Sequence, residues 1–139
     1  RGSRRMQGSS NRRVLLLDTA AFISATHLYV YDRLLYTTPS VLDEVKDFES
    51  VQRLSLSQSA DRIVIVEPSK EYIEKALSLA RKFGALDKLS RTDLEVLALA
   101  LQLVSEGYDV TVLTDDYDLQ KILKGIGIEF KPIKTIGIR

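Results

Sequence analysis

The chain has 139 residues, no cysteine and a formal net charge of +1, with 45% hydrophobic and 28% charged residues. This composition is typical of one globular domain with its own core, and it excludes disulfides and cysteine-based zinc sites. No apolar run approaches the ~18 residues needed to span a membrane, and the N-terminus lacks a signal-peptide pattern. We therefore expect a cytoplasmic protein that has no membrane partner.

The net charge hides an uneven distribution. Residues 1–13 hold five arginines and no acid, which leaves 15 basic residues against 19 acidic ones in the rest of the chain. We interpret residues 1–12 as a tag or a disordered leader, with a native start at Met6, and residues 13–139 as the folded domain. A mildly acidic domain does not by itself indicate nucleic-acid binding, although acids around a metal site can hide a basic rim.

Five short β-rich runs alternate with helical patterns along the chain. We predict strands at Arg13–Leu17, Leu34–Thr37, Arg62–Val66, Val110–Leu113 and Ile128–Lys131. We predict helices over Asp18–Ile23, from Thr38 through Phe48, and over Lys70–Phe83, Asp93–Val104 and Asp116–Leu123. Residues 49–60 are weakly patterned and are expected to hold a helical turn and then a mobile, serine-rich loop. The alternation indicates an α/β fold on a parallel sheet of about five strands.

Acidic side chains stand where predicted strands end or where helices begin. Asp18 directly follows the first strand, and a group of three acids (Asp115, Asp116 and Asp118) follows the fourth. Glu44 and Asp93 lie near the starts of the second and fourth helices. Right-handed crossovers bring all these points to one edge of a parallel sheet, where ligands of α/β folds bind.

Carboxylates without histidine or cysteine form an all-oxygen donor set that suits Mg²⁺ or Mn²⁺. Two such ions about 4 Å apart could activate a water and stabilise the leaving oxygen in phosphodiester cleavage. The single histidine, His27, is more typical of a structural or exposed residue than of a catalytic one. The pattern therefore indicates a hydrolase that depends on metal rather than on histidine.

Each acid also has an ordinary structural interpretation, which spacing leaves open. Asp18 stands where an N-cap of the first helix is expected. Ser90 and Asp93 have the spacing of a capping box, with Asp in place of Glu. Glu44 alone is typical of a solvated helix residue.

Four segments together resemble the PIN-domain ribonucleases. They are VLLLDTAAF from Val14, TPSVLDEV from Thr38, LSRTDLEVLALAL from Leu89 and VLTDDYDLQ from Val112, and the resemblance extends from about Arg13 to Ile136. Within that family the chain is most similar to the Nob-one type, the endonucleases that make the last cut at the 3′ end of small-subunit ribosomal RNA. The resemblance implies a three-layer α/β/α sandwich with strand order 3-2-1-4-5.

The resemblance also implies the roles of individual residues. Asp18, Glu44, Asp93 and Asp116 would be the catalytic, metal-binding acids, with Asp115 and Asp118 as additional candidate ligands. Thr19, Ser90 and Thr114 would support these acids by hydrogen bonds. The cofactor would be Mg²⁺ or Mn²⁺, and a metal-bound water would attack single-stranded RNA, with pre-rRNA and ribosome-assembly proteins as partners. The side chains that could contact RNA are Arg33, Tyr36, Arg53, Arg62, Arg91 and Lys121.

The chain departs from the ribosomal branch at several points. Ala20 stands where many relatives carry Ser or Asn, and Lys121 stands where that branch often has Asn. That branch also carries a cysteine zinc ribbon after the PIN domain, so either the chain stops at the domain boundary near Ile138-Arg139 or the protein is a different PIN member. A VapC-type toxin ribonuclease and a catalytically silent PIN-fold module that binds RNA or protein remain the alternatives.

Overall fold

A computed structural model describes residues 12–24, 30–53 and 61–133 of the chain. The strands are β1 (Arg13–Leu17), β2 (Leu34–Thr37), β3 (Ile63–Ile65), β4 (Asp109–Leu113) and β5 (Glu129–Lys131). The helices are α1 (Thr19–Ser24), α2 (Pro39–Gln52), α3 (Lys70–Lys82), α4 (Arg91–Ser105) and α5 (Tyr117–Ile126). The leader, His27 and the serine-rich loop, for which we made predictions, lie outside the described residues.

The five strands form one parallel sheet with the order β3-β2-β1-β4-β5. This is the order that the family resemblance implies. β1 and β4 pair along their whole length, from Arg13 opposite Asp109 to Leu17 opposite Leu113. The ends of β1 and β4 therefore lie side by side at one edge of the sheet, which we call the carboxyl edge.

Helices cover both faces of the sheet. Connections between parallel strands are right-handed. The helices α1 and α2, which follow β1 and β2, therefore lie on one face of the sheet. The helices α4 and α5, which precede β4 and β5, lie on the other face. α1 packs on α2, α3 packs on α4, and α4 packs on β1 and β4. The result is the predicted three-layer α/β/α sandwich.

The core lies between the central strands and α4. Val14, Leu15, Leu16 and Leu17 of β1 have no exposed surface, as expected for a strand that helices cover on both faces. The apolar run of α4, residues 96–100, is likewise fully buried. Among the described residues, none of the helices is long and apolar enough to cross a membrane.

The helix ends explain most differences from the predicted bounds. Asp116 is the N-cap of α5 rather than its first residue, and α4 begins two residues earlier than predicted, at Arg91. α2 continues through Gln52 into the stretch that we expected to be weakly structured, and it ends at Arg53 in the left-handed conformation. β3 is shorter than the predicted Arg62–Val66, because Arg62 belongs to a 3₁₀ turn, although the Val66 N–H still donates to the Thr37 carbonyl at 3.0 Å.

Candidate active site

Acidic side chains follow two neighbouring strands at the carboxyl edge. Asp18 comes directly after β1, and Asp115 and Asp116 come two and three residues after β4. The two strand ends are joined by a hydrogen bond from the Asp18 N–H to the Leu113 carbonyl at 3.4 Å. The sheet therefore brings these acids together although almost 100 residues separate them in the chain.

Thr114 links Asp18 to Asp116. Its hydroxyl donates to Asp18 Oδ2 at 2.5 Å and accepts from the Asp116 N–H at 3.0 Å, and its side chain is fully buried. The other oxygen of Asp18 accepts from the Ala21 N–H at 2.8 Å, and Asp116 Oδ1 accepts from the Leu119 N–H at 2.8 Å. Both acids thus cap helices and keep their carboxylates at the carboxyl edge.

Glu44 joins three helices at the same edge. Its Oε1 accepts from the Thr19 hydroxyl and its Oε2 from the Thr92 hydroxyl, each at 2.7 Å. The carboxylate is therefore fixed from both sides, which a freely solvated helix acid would not be. Our sequence analysis missed Thr92, and the one available signal was a hydroxyl directly before Asp93.

Asp93 occupies the first turn of α4. The Ser90 hydroxyl accepts from the Asp93 N–H at 3.0 Å, and the Ser90 N–H donates back to Asp93 Oδ2 at 3.4 Å, so the predicted capping box is present. The same turn places Asp93 close enough to Asp18, Asp116 and Glu44 for electrostatic repulsion. The structural and functional interpretations are compatible at this position.

Burial and repulsion raise the pKa of two of these acids. Asp18 is 6% exposed, and desolvation raises its pKa above 3.8, with Asp93 and Asp115 adding repulsion against the lowering effect of the Thr114 and Ala21 hydrogen bonds. Desolvation also raises the pKa of Asp93, followed by repulsion from Asp116 and then from Glu44. Negative charge is therefore crowded at this edge, and a bound cation would relieve the crowding.

The two additional candidate ligands are placed differently. Asp115 Oδ1 accepts from the Ile133 N–H at 2.9 Å, so this carboxylate is held toward the end of β5. Asp118 lies in the first turn of α5, and no contact in the described part of the chain links it to the other acids. Asp93 is close enough to Asp18, Glu44 and Asp116 for repulsion, and we call these four acids the acid cluster. Asp115, which also repels Asp18, lies beside it.

The donor set of the acid cluster fits Mg²⁺ or Mn²⁺, because it consists of carboxylate oxygens with threonine hydroxyls behind them. Within residues 12–24, 30–53 and 61–133, however, no three acidic side chains lie close enough to form a ready-made metal site. Each carboxylate instead accepts hydrogen bonds from partners of its own. Asp18 accepts from Ala21 and Thr114, and Glu44 accepts from Thr19 and Thr92. Asp93 accepts from Ser90, and Asp116 accepts from Leu119. Metal binding would require small side-chain movements that draw the carboxylates together.

The six side chains predicted to contact RNA do not share one surface. Arg33 and Arg62 directly precede β2 and β3, which places them at the edge opposite the acid cluster. Tyr36 packs against Tyr108 with ring centroids 6.0 Å apart, and burial raises its pKa to about 12. Arg53 lies at the end of α2, Arg91 is the first residue of α4, and Lys121 lies on the exposed side of α5. Arg91 is the one of these six beside the acid cluster.

Three characterised relatives resemble most of the chain. Ribonuclease VapC3 of Aeropyrum pernix is 43% identical over 128 residues, which cover 92% of this chain and 91% of that protein. Endoribonuclease Nob1 of Pyrococcus abyssi is 40% identical over 125 residues, which cover 90% of this chain and 71% of that protein. The 20S-pre-rRNA D-site endonuclease NOB1 of Saccharomyces cerevisiae is 34% identical over 111 residues, which cover 78% of this chain and 23% of that protein.

The structure comparison supports the fold, and the sequence comparisons identify the family. The crystal structure of PAE2754 from Pyrobaculum aerophilum matches 91% of this chain and 88% of its own with a TM-score of 0.58, at 15% identity. The family model for the PIN domain of ribonuclease matches residues 15–103, which include Asp18, Glu44 and Asp93. On this match and on the identities above, the chain belongs to the PIN-domain ribonuclease family.

Proposed function

We propose that this protein is a divalent-metal-dependent endoribonuclease that cleaves single-stranded RNA, and that its target is the 3′ end of the small-subunit rRNA precursor. The observation that carries the proposal is the acid cluster, in which four carboxylates from four segments of the chain lie at the carboxyl edge of a PIN fold. The protein would act in the cytoplasm. Its partners there would be pre-rRNA within a small-subunit precursor and the proteins that assemble that precursor.

Asp18, Glu44, Asp93 and Asp116 would hold Mg²⁺ or Mn²⁺ at this edge. Such an ion, when bound, supplies water activation and neutralises charge on the phosphodiester. Carboxylate oxygens match the hardness of both ions, and the raised pKa values of Asp18 and Asp93 fit a cluster whose charge needs a counter-ion. Whether the ion is Mg²⁺ or Mn²⁺ can be decided by comparing cleavage in each.

The chain's own residues orient the acids and the substrate. Thr114 holds Asp18 and Asp116 in fixed relation, and two threonines, Thr19 and Thr92, aim Glu44. The Arg91 side chain is 92% exposed at the first position of α4, one turn from the cluster, where it can bind an RNA phosphate. Because the acids alone would repel RNA, such a cation and the bound metal are both needed for productive binding.

The rRNA target is supported by the names of two relatives and by the motifs of the ribosomal branch. The similarity to endoribonuclease Nob1 covers 90% of this chain, and the yeast relative is named for a pre-rRNA site. A labelled RNA that spans the 3′ end of small-subunit rRNA should be cut at discrete positions near the mature end. Cleavage should require Mn²⁺ or Mg²⁺, stop in EDTA and be lost in Asp116→Asn.

Two other results would each contradict one part of this proposal, either the rRNA target or the role of the acid cluster. Metal-dependent cleavage at scattered positions would retain the nuclease and reject the rRNA target. Cleavage that survives both EDTA and Asp116→Asn would reject the acid cluster as its source.

A VapC-type toxin ribonuclease is the second candidate. It is favoured by one observation, the 43% identity to ribonuclease VapC3 over nearly the full length of both chains. Purification of the native protein from its own cells distinguishes the two candidates. A small antitoxin that co-purifies and inhibits cleavage would support the toxin, whereas co-sedimentation with small-subunit precursors would support the rRNA enzyme.

A further inference from the structure

A hollow of about 390 Å³ lies between α3 and α4, beside the segment that follows β3. Its floor is apolar and is formed by Pro68, Ile73, Leu77 and Leu94, whereas its rim is charged. The volume lies at the lower end of the range for small-molecule sites, about 300–1,000 Å³. An apolar floor with a few polar groups at the rim is the usual character of such a site.

The hollow adjoins the acid cluster. Arg91 and Leu94, which line it, belong to the same first turn of α4 as Asp93. A second hollow of about 310 Å³ shares Glu67 and Arg91 with it and extends to the start of α2, one turn before Glu44. The two hollows therefore adjoin one another and together extend from the space between α3 and α4 to the start of α2, next to the segments that carry Asp93 and Glu44.

The rim offers an acceptor and a cation. Glu67 is exposed and makes no hydrogen bond or ion pair with another residue in the described ranges, so its carboxylate is free to accept. Glu95 accepts a hydrogen bond from the Ser40 hydroxyl. Glu95 Oε2 also forms an ion pair with Arg91 Nε at 3.4 Å, and most of the Arg91 guanidinium still faces solvent. Lys70 adds a second cation on the α3 side of the rim.

These features match an unpaired nucleotide. A nucleobase is flat and apolar on its faces, so it can lie on the leucine and isoleucine floor, and its edge can hydrogen-bond at the rim. A carboxylate accepts hydrogen bonds but donates none, so Glu67 favours a base that carries an amino group. Uracil has only its N3–H to donate, and that group lies between two carbonyl oxygens that repel a carboxylate. The cations Arg91 and Lys70 are placed for the adjoining phosphates.

We propose that the hollow between α3 and α4 is a subsite for one unpaired, amino-bearing nucleobase of the RNA that enters the acid cluster. The proposal rests on the proposed ribonuclease function and adds to it a source of sequence preference. Adenine, cytosine and guanine all carry an amino group and should be preferred over uracil at the subsite, and Glu67 is the residue that discriminates against uracil.

RNA binding tests the subsite without requiring cleavage. Fluorescence anisotropy with labelled tetranucleotides of adenosine, cytidine or uridine can be measured on the Asp116→Asn protein in Mg²⁺, which keeps the RNA intact. We expect the adenosine and cytidine oligonucleotides to bind about fivefold more tightly than the uridine one, the effect of roughly one hydrogen bond. Glu67→Gln, added to that protein, should remove the preference because an amide can also donate to uracil.

Glu74→Gln is the matched control, since Glu74 is an exposed acid on α3 outside the hollow and its substitution changes charge equally. It should leave the preference intact. Equal affinity for the three oligonucleotides, or a preference that survives Glu67→Gln, would overturn the subsite and leave a polypeptide side chain as the better occupant. A preference for adenosine and cytidine in a protein that cleaves no RNA would retain the subsite while rejecting the nuclease function.

Discussion

Thr114 is the residue on which the geometry of the acid cluster depends most. It is fully buried, it donates to Asp18 and it accepts from the backbone of Asp116. If Asp18 and Asp116 hold the metal as proposed, a hydroxyl that joins them contributes to metal affinity without touching the metal. The two carboxylates are thus held in position before any ion binds.

We predict that Thr114→Val weakens Mn²⁺ binding and RNA cleavage by about 10- to 100-fold, the usual effect of losing a residue that orients ligands. Valine keeps the volume of threonine but can neither donate to Asp18 nor accept from the Asp116 N–H. Calorimetric Mn²⁺ titration and single-turnover cleavage both measure the effect.

Thr111→Val provides the control for that experiment. Thr111 is also buried and lies in β4, three residues before Thr114, but its hydroxyl donates to Glu129 at 3.0 Å, away from the acid cluster. This variant should bind Mn²⁺ and cleave RNA like the parent. If both valine variants lose activity equally, the role of Thr114 is general stability of β4 rather than orientation of the acids.

Asp93 gives a prediction about pH. Desolvation first, and repulsion from Asp116 next, raise its folded-state pKa above 3.8, so the folded protein holds this proton more tightly than the unfolded chain does. Its contribution to stability is therefore greatest below about pH 3.8 and is lost as pH rises through the raised pKa. At neutral pH without metal, the charged Asp93 destabilises the fold.

We therefore expect Asp93→Asn to have a higher melting temperature than the parent in EDTA at pH 7, with a difference that shrinks toward pH 3.5. Asparagine can still accept from the Ser90 N–H, so the cap remains. Adding Mn²⁺ should stabilise the parent more than the variant. Thermal unfolding across this pH range measures both effects, and a variant that is less stable than the parent at pH 7 in EDTA would contradict the crowding of charge.

The sequence could predict which acidic residues stand at the candidate site, but not every hydrogen-bond partner of those residues. Asp18 was identified from its position after an apolar run, and both of its interpretations, cap and site residue, are compatible in the structure. Thr92 was missed because its partner, Glu44, is 48 residues away, and its own neighbours carry no sign of that contact. Long-range hydrogen bonds of this kind depend on how helices pack, which local patterns do not encode.

At the scale of elements, the first turn of α4 has two functions. Its capping box starts the helix, and the same residues place Asp93 in the acid cluster and Arg91 beside it. The rest of α4 is buried against β1 and β4, so its direction is fixed by the core. The helix start is thereby positioned relative to the ends of the strands.

We predict that Ser90→Ala lowers the free energy of unfolding by about 1 kcal/mol, within the 0.5–2 kcal/mol range for loss of an N-cap. Chemical denaturation measures this value. The variant should also bind Mn²⁺ less tightly, because the first turn that holds Asp93 becomes less ordered. An unchanged stability would show that core packing alone fixes the start of α4.

The positions of strands and helices were predictable where the hydrophobic pattern was strong. They were less predictable at the ends of helices. β1 and β2 were predicted at their observed bounds, because continuous Val and Leu runs end at clear polar residues. α2 was longer than expected, since Gln52 extends it into a stretch with little apolar pattern and Arg53 ends it in a left-handed conformation usually taken by glycine. Boundaries of that kind are set by the last backbone hydrogen bonds rather than by residue type.

At the level of the whole molecule, two of the arginines predicted to contact RNA are remote from the acid cluster. Arg33 and Arg62 directly precede β2 and β3, so they lie at the edge of the sheet opposite the carboxyl edge. Right-handed crossovers predicted that the acids would meet. The sequence did not show that most of the basic residues we expected to contact RNA would be remote from them.

The strand order and the acid cluster together fit the proposed metal-dependent cleavage, which requires no histidine. The order β3-β2-β1-β4-β5 places the ends of β1 and β4 side by side, and α2 and α4 add their acids from the two faces of the sheet. This convergence could be predicted from the sequence because each acid stands shortly after a strand or near the start of a helix. The distances between carboxylates could not, because they depend on side-chain hydrogen bonds.

Binding of the divalent ion by the acid cluster can be measured by calorimetric titration of Mn²⁺ into three proteins. They are the parent, Asp116→Asn and Asp109→Asn, the last being an exposed acid at the opposite end of β4 with the same change in charge. We predict saturable binding to the parent and to Asp109→Asn, and at least about tenfold weaker binding to Asp116→Asn. Equal Mn²⁺ affinity in all three proteins, or no binding to the parent, would contradict the account.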